Sequence, residues 1–401
     1  MKFLLVFIFA ALSAQGATWK AGDLEVEASG NVEAQARHTW NPHTAQKFPL
    51  SQDWNEGNFG MLMGNLNLRA SFRESRLDTN VFVRQANSSL YQNDYVAPRI
   101  MTFPNRLVAR DVFRLNYSRQ DNDHQTDAVV NKLAYELDGD DSRFTIGRMF
   151  VNYGVGEIFN PINPFNQPLG LVSSLNVAQG NDGFKASFFL SERSNLSFFL
   201  MGDKQLAGEE DRITRTLWLH WEFRPADDWQ LDLVAGEDQK RNKAGVQINR
   251  TLSEAMIFLQ ALYTSELTND DPSENLWDLM IGYDNQFTKD WHARVEMGHQ
   301  ETDQEVVAPA GSLLSNRYLP YEYFIAVANT YDIHPLVELS GTLIHDVKTD
   351  FGYGLLRANW SVVENWEWDL FFFTPVYHSA ESNLVQQLIT TDVGTALRYF
   401  F

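Results

Sequence analysis

Charged side chains recur at every second position in segments that are otherwise apolar, and their sign changes along the chain. The early segments carry mostly basic residues, whereas those from Glu222 onward carry mostly acidic ones. If alternate residues face one enclosed space, a basic wall opposite an acidic wall creates a field that orients polar solutes. The expected basic wall comprises Arg69, Arg73, Arg84, Arg114, Lys132 and Arg148, and the expected acidic wall comprises Glu222, Asp232, Asp278, Asp284, Glu296, Glu338 and Asp369.

The same charge pattern has a second interpretation. Arg294, Arg357 and Arg398 interrupt the acidic series. Salt-bridge ladders that only stabilise the enclosed wall are therefore an alternative to a field across a pore. Neither interpretation requires a cofactor or a metal ion, and we expect none.

Residue pairs suited to catalysis are few. His345 precedes Asp346 and His378 precedes Ser379, but neighbours in a strand point to opposite faces, so neither pair forms a ready dyad. The chain has no cysteine, and it shows no Gly-rich phosphate loop, zinc-ligand spacing or nucleophile elbow. We therefore expect that the chain is not an enzyme.

The most distinctive internal segment spans residues 147–166 and reads GRMFVNYGVGEIFNPINPFN. Gly154 and Gly156 permit backbone conformations closed to other residues, and each Asn-Pro step imposes an extended or turned geometry. A rigid loop without strand structure is therefore expected. If the chain forms a barrel and this loop folds into its interior, the loop narrows the lumen. Asn160, Asn163 and Asn166 then present amides to a passing solute. An extracellular cap that touches no solute is the alternative.

This segment resembles a motif of a loosely characterised group of porin-like Gram-negative outer-membrane barrels. The spacing matches at Gly147, Arg148, Gly154, Gly156, Phe159, Asn160, Pro161, Phe165 and Asn166. Met149 and Tyr153 stand where the motif has Gln and Trp. The resemblance implies an outer-membrane location and a barrel fold, and for transport it implies a porin-like channel.

Segments of about ten residues alternate in polarity and are separated by turn residues, which is typical of transmembrane strands. In one of them Trp277, Leu279 and Ile281 alternate with Asp278 and Gly282. Trp and Tyr residues lie near the predicted turns, where they suit a membrane interface. A soluble β-sandwich also alternates but exposes few such aromatics at strand ends. The pattern favours an all-β fold, a single transmembrane antiparallel β-barrel.

Both ends of the chain agree with export and assembly in an outer membrane. Residues 1–16 combine Met1-Lys2, a short apolar run and a small-residue cleavage pattern, so they are predicted to be a signal peptide. The barrel then occupies residues 17–401. The last segment ends on Phe401 with Tyr399 two residues earlier, which resembles the signal by which the barrel-assembly machinery recognises its substrates.

Turn lengths predict the topology. Short turns, typical of the periplasmic side, are expected at 138–141, 191–195, 225–228, 288–290, 332–335 and 363–365. Longer connections, typical of extracellular loops, are expected at 151–181, 203–212, 267–274, 302–319 and 377–389. Short turns and long connections alternate without a break from about residue 127 to the end. The alternating segments number roughly 19, but closed bacterial barrels have even strand numbers, so about 18 strands are expected, within a range of roughly 16–20. The surplus segment is assigned to the stretch 91–106.

The net charge of -20 bears on partners. Nucleic acid is not expected to bind, because phosphate recognition needs clustered cations that the sequence lacks. Expected partners are outer-membrane lipid and lipopolysaccharide, the barrel-assembly machinery and small polar solutes. An open pore of this charge favours cations. The sequence leaves open the solute and whether the protein is a monomer or a trimer.

The favoured function is a porin-like channel for passive or weakly selective diffusion of small polar solutes. A barrel of this size leaves room for an aqueous path. A structural, adhesive or plugged barrel is the alternative, and a barrel enzyme at the outer leaflet is less favoured. Single-channel conductance separates a channel from the other classes.

Overall fold

A computed structural model of the chain describes residues 17–40, 56–88, 115–121, 124–165, 180–205, 212–238, 241–266, 275–301, 322–348, 350–377 and 391–401. Residues 1–16 lie outside these ranges, so the signal peptide stays a prediction. Arg114, Asn166, His378, Ser379 and the stretch 91–106 also lie outside them.

The described chain forms twenty strands. They are β1 (Thr18–Ala21), β2 (Leu24–Trp40), β3 (Glu56–Phe72), β4 (Ser75–Ser88), β5 (Asn116–Asp121), β6 (His124–Asp138), β7 (Ser142–Met149), β8 (Asn181–Ser191), β9 (Ser194–Gln205), β10 (Arg212–Ala226), β11 (Trp229–Asp238), β12 (Arg241–Leu252), β13 (Ala255–Glu266), β14 (Leu276–Thr288), β15 (Trp291–Gln300), β16 (Tyr323–His334), β17 (Val337–Asp346), β18 (Phe351–Val363), β19 (Trp366–Tyr377) and β20 (Thr391–Phe400). Within the described ranges, no helix is long and apolar enough to cross a bilayer.

Eighteen of these strands close an antiparallel barrel. The wall consists of β2–β4 and β6–β20, and its seam joins β2 to β20, from Asn31 opposite Phe400 to Trp40 opposite Thr391. Two further strands lie beside the wall: β1 pairs with the start of β2, and β5 pairs with the first residues of β6. The prediction of an all-β barrel of about 18 strands is confirmed.

Alternate side chains point outward and inward because successive strand residues face opposite sides. On β14 the outward Trp277 and Leu279 are 49% and 44% exposed. Their inward neighbours Asp278 and Met280 are 6% and 2% exposed. The same rule holds around the wall, so large apolar side chains cover the outside while most charged strand residues face the interior.

The two rims of the barrel differ. One rim, which we call the terminal rim, holds both ends of the described chain and the tight turns between strands. These turns link β3 to β4, β6 to β7, β8 to β9, β10 to β11, β12 to β13, β14 to β15, β16 to β17 and β18 to β19. The strand ends that border the longer connections lie at the far rim. The expected alternation is nevertheless broken there, because β11 and β12 are separated only by residues 239–240, and β17 and β18 only by residues 347–350. In both pairs the facing strand ends lie opposite each other, so a short turn is enough to connect them.

Candidate functional site

A loop leaves the wall after β7 and crosses the interior of the barrel. We call residues 151–165 the crossing loop. It docks on β15, eight strands along the wall from β7 in a ring of eighteen, which is close to the opposite side. Val151, Ile158, Ile162 and Phe165 on this loop are all buried. Inward folding, one of the two alternatives for this segment, is therefore the arrangement in the structure.

Local backbone geometry sends the chain inward. Gly147 and Gly154 have φ angles of 116° and 82°, in the region that favours glycine. A Cβ on Gly154 would lie 2.5 Å from the Asn160 side-chain oxygen, so the turn requires glycine at this position. Asn160 Nδ2 donates to the Tyr153 carbonyl at 2.7 Å, and Asn163 Nδ2 donates to the Val151 carbonyl at 3.4 Å.

The expectation that these amides face a solute does not match their placement. Asn160 and Asn163 are buried, and their amide nitrogens donate to carbonyl groups of the crossing loop itself. The two side chains stabilise the fold of the loop, because buried backbone carbonyls outside regular structure need donors. Asn166 lies outside the described residues.

A single carboxylate anchors the crossing loop to the far wall. Glu296 on β15 accepts hydrogen bonds from the backbone amides of Glu157 at 2.8 Å, Ile158 at 3.0 Å and Phe159 at 3.2 Å. Arg294 Nε donates to the same carboxylate at 2.7 Å. Hydrogen bonds to an ionised acceptor are stronger than neutral ones. Glu296 is 1% exposed, so these bonds form out of water.

Two further polar contacts join the loop to the wall. The Val155 amide donates to Gln247 Oε1 on β12 at 3.0 Å, and Arg294 Nη2 donates to the Val155 carbonyl. The amide and the carbonyl of Val155 are therefore bound by inward side chains of two different strands, β12 and β15. This fixes the height of the crossing loop as well as its direction.

Apolar side chains complete the docking. Phe159 packs edge-on against Phe324 of β16, with ring centroids 5.8 Å apart. Tyr153 stacks on His220 of β10 at 4.5 Å, with only 15° between the ring planes. Phe165 contacts residues of β9 and β10, so the loop returns along the side of the barrel from which it started. Burial of these rings removes apolar surface from water and stabilises the inward position.

The residues of the expected basic wall are paired with carboxylates. Arg69 and Lys132 both contact Asp78, at 2.9 and 2.7 Å. Arg84 on β4 contacts Asp127 on β6 at 2.6 Å, and both side chains are buried. These distances correspond to the salt-bridge interpretation of the charge pattern.

Three members of the expected basic wall are placed differently. Arg73 lies in the turn between β3 and β4 with a φ of 51°, and its exposed side chain contacts Asp23 at 3.0 Å. It therefore belongs to the terminal rim, because the strand ends before it. Arg148 is buried against Asp182 at 2.7 Å, so its guanidinium is not open to the lumen. Arg114 lies outside the described residues.

The expected acidic wall faces inward, and most of its members also have cationic or histidine neighbours. The contacts are Glu222 with Arg224 at 2.8 Å, Asp232 with His220 at 2.8 Å, Asp284 with Arg294 at 2.9 Å, Glu296 with Arg294 at 2.7 Å, and Asp369 with Arg357 at 2.7 Å. Asp278 is buried on β14, whereas Glu338 on β17 faces inward and is exposed. Compensation between neighbouring strands weakens any field between opposite walls.

Solved structures share this architecture. The chain superposes on a BenF-like porin from Pseudomonas fluorescens Pf-5 with a TM-score of 0.56 at 9% identity, covering 94% of this chain and 98% of that chain. It superposes on Acinetobacter baumannii OccAB1 with a TM-score of 0.55 at 9% identity, covering 96% and 99%. It superposes on Pseudomonas aeruginosa OccK8 (OprE) with a TM-score of 0.56 at 9% identity, covering 94% of this chain and 98% of that chain. The chain has a porin fold.

The likeness at these identities extends to the fold alone. No protein-family model matches the chain, and no curated protein matches its sequence. The motif resemblance at residues 147–166 therefore stays a prediction. The closed wall around the crossing loop is given by the strand pairings of the chain itself.

Of the residues that anchor the crossing loop in this porin fold, the sequence had identified Glu296 alone as a candidate site residue. Gln247 and Arg294 hold Val155, and His220 stacks on Tyr153. The only sequence signal was Arg294 as an interruption of the acidic series. Gln247 and His220 gave none, because an inward polar residue looks the same whether it faces water or a loop.

The two residue pairs considered for catalysis can be placed only in part. His345 points outward while Asp346 is buried inside, as the strand rule predicts. His378 and Ser379 lie outside the described residues. No group of three or more His, Asp or Glu side chains in the described ranges has a geometry suited to a metal ion.

Proposed function

We propose that this protein is an outer-membrane channel in which the crossing loop narrows the lumen, and that small polar solutes diffuse past it with a preference for cations. The observation that carries the proposal is the crossing loop itself, which Glu296 binds close to the opposite side of the barrel. A barrel of about eighteen strands without such a loop encloses a wide aqueous space.

The outer surface supports a membrane location. Large apolar side chains are exposed all around the wall, among them Leu217, Leu259, Leu343 and Leu397. A surface of this extent is far larger than water-soluble monomers expose. Aromatic residues such as Trp291 at the strand ends suit the membrane interface. Lipid and lipopolysaccharide are therefore proposed to surround the barrel, and the ending at Phe401 is proposed to direct its assembly.

The absence of cysteine makes a direct test possible, because any introduced thiol is unique. Asn152 is an exposed residue of the crossing loop. After Asn152→Cys, a charged methanethiosulfonate reagent should lower the single-channel conductance in a planar bilayer. Leu336→Cys is the matched control, because Leu336 is exposed in the turn between β16 and β17, outside the lumen.

Unchanged conductance of the labelled Asn152→Cys variant, with labelling confirmed by mass, would show that the solute path avoids the crossing loop. No conductance in the unmodified protein would refute the channel. That second result would favour a plugged or structural barrel, which one observation also supports: apolar clusters that include Phe159, Ile162 and Phe165 fill part of the interior.

A further inference from the structure

The crossing loop exposes one carboxylate inside the barrel. Glu157 has a side chain that is 59% exposed, whereas the next two residues, Ile158 and Phe159, are buried. Its backbone amide holds the loop to Glu296, but its carboxylate does not take part in that anchor. Apart from a 3.6 Å contact with Arg294, this carboxylate faces the space inside the barrel.

Among the described residues, carboxylates outnumber cations around Glu157. Arg294 is the cation next to it, and its nearest nitrogen lies 3.6 Å from Glu157 Oε2. The same guanidinium already contacts Glu296 at 2.7 Å and Asp284 at 2.9 Å. Asp284 also contacts the imidazole of His292 at 2.7 Å, which counts as neutral at pH 7, so one cation serves three carboxylates.

The two closer carboxylates are also less accessible than Glu157. Glu296 is buried beneath the loop, and Asp284 is half-buried on β14. The excess negative charge at this junction is consequently presented to the lumen mainly by Glu157. Elsewhere in the described wall, carboxylates such as Asp78 and Asp127 lie beside cations of their own.

We infer that Glu157 is the residue that sets the charge selectivity of the passage, favouring cationic over anionic solutes. A fixed charge where the passage is narrow acts on every ion that passes, whereas charges on a wide rim are screened by salt within about 10 Å. This inference rests on the proposed channel function and assigns its selectivity to one side chain.

The test is the reversal potential in a potassium chloride gradient across a planar bilayer. Glu157→Gln should reduce the permeability ratio of potassium to chloride by about two- to fivefold, the effect of one unit charge at short range. Conductance at molar salt should change far less than this ratio, because salt screens the fixed charge and the anchoring amide of Glu157 is retained. Glu192→Gln in the turn between β8 and β9 removes the same charge at the rim and should leave the ratio unchanged.

A second variant keeps the inference falsifiable. Glu338→Gln removes an exposed, inward carboxylate from the wall, away from the loop. An equal drop in the ratio for this variant and for Glu157→Gln would mean that total lumen charge sets selectivity, which overturns the inference. A ratio unaffected by Glu157→Gln would do the same, with the channel itself still demonstrated by its current. Loss of all current in the unmodified protein would instead refute the proposed function.

Discussion

Gly30 and Phe401 exchange backbone hydrogen bonds across the seam of the barrel, each amide donating to the carbonyl of the other at 3.0 Å. The Phe401 ring lies directly over Gly30, where any other residue would place a side chain. The final residue of the chain is therefore both the last rung of the seam and a ring that packs on the first wall strand.

We expect Gly30→Val to impair closure of the barrel. A Cβ there would clash with the Asn65 carbonyl and lie 2.6 Å from the Phe401 ring. The folded fraction, measured by the faster migration of unheated barrels in SDS gels, should fall strongly. Gly60→Val is the control, because a Cβ at Gly60 meets nothing within 4 Å. Equal folding of both variants would show that the seam tolerates a bulky residue.

Removing the anchoring carboxylate should loosen the crossing loop. Glu296→Ala leaves three backbone amides and the Nε of Arg294 without their acceptor, and each lost bond to a charged group is worth about 1.5–3 kcal/mol. Single-channel recordings should show a larger mean conductance with more open-channel noise. A quiet channel of unchanged conductance would mean that apolar packing around Phe159 holds the loop without Glu296.

The buried pair of Arg148 and Asp182 should matter for stability. Arg148→Met leaves the Asp182 carboxylate buried without its cation, which costs about 3–5 kcal/mol. The free energy of unfolding from urea titration of vesicle-embedded protein measures this. The double variant Arg148→Met/Asp182→Leu should recover most of the loss, because two apolar side chains then replace the pair. A double variant as unstable as the single one would contradict this explanation.

The outer face should reject charge while the inner face accepts it. Leu259 points outward near the middle of β13 and is 45% exposed. Leu259→Arg should destabilise the barrel in lipid vesicles by about 2–4 kcal/mol, as for arginine near a bilayer midplane. Thr330→Arg, on the inward face of β16, should cost much less. Similar costs at both positions would argue against lipid contact at Leu259.

The direction in which each strand residue faces could be predicted from the sequence. Side chains in a strand alternate with a period of two, so Trp277 and Asp278 must lie on opposite sides wherever the strand is placed. Turn residues marked the rim that holds the chain ends, and the alternation of apolar residues identified the membrane face. The barrel and its approximate strand number followed from these local patterns.

The partners of the inward residues were decided by the tertiary structure. Glu296 binds amides of Ile158 and Phe159 that are 138 and 137 positions away in sequence, and no local pattern encodes such a distance. The register between strands determines which charges become neighbours, as with Arg84 and Asp127. The path of the crossing loop similarly depends on a matching apolar surface on the opposite wall, which exists only once the barrel has closed.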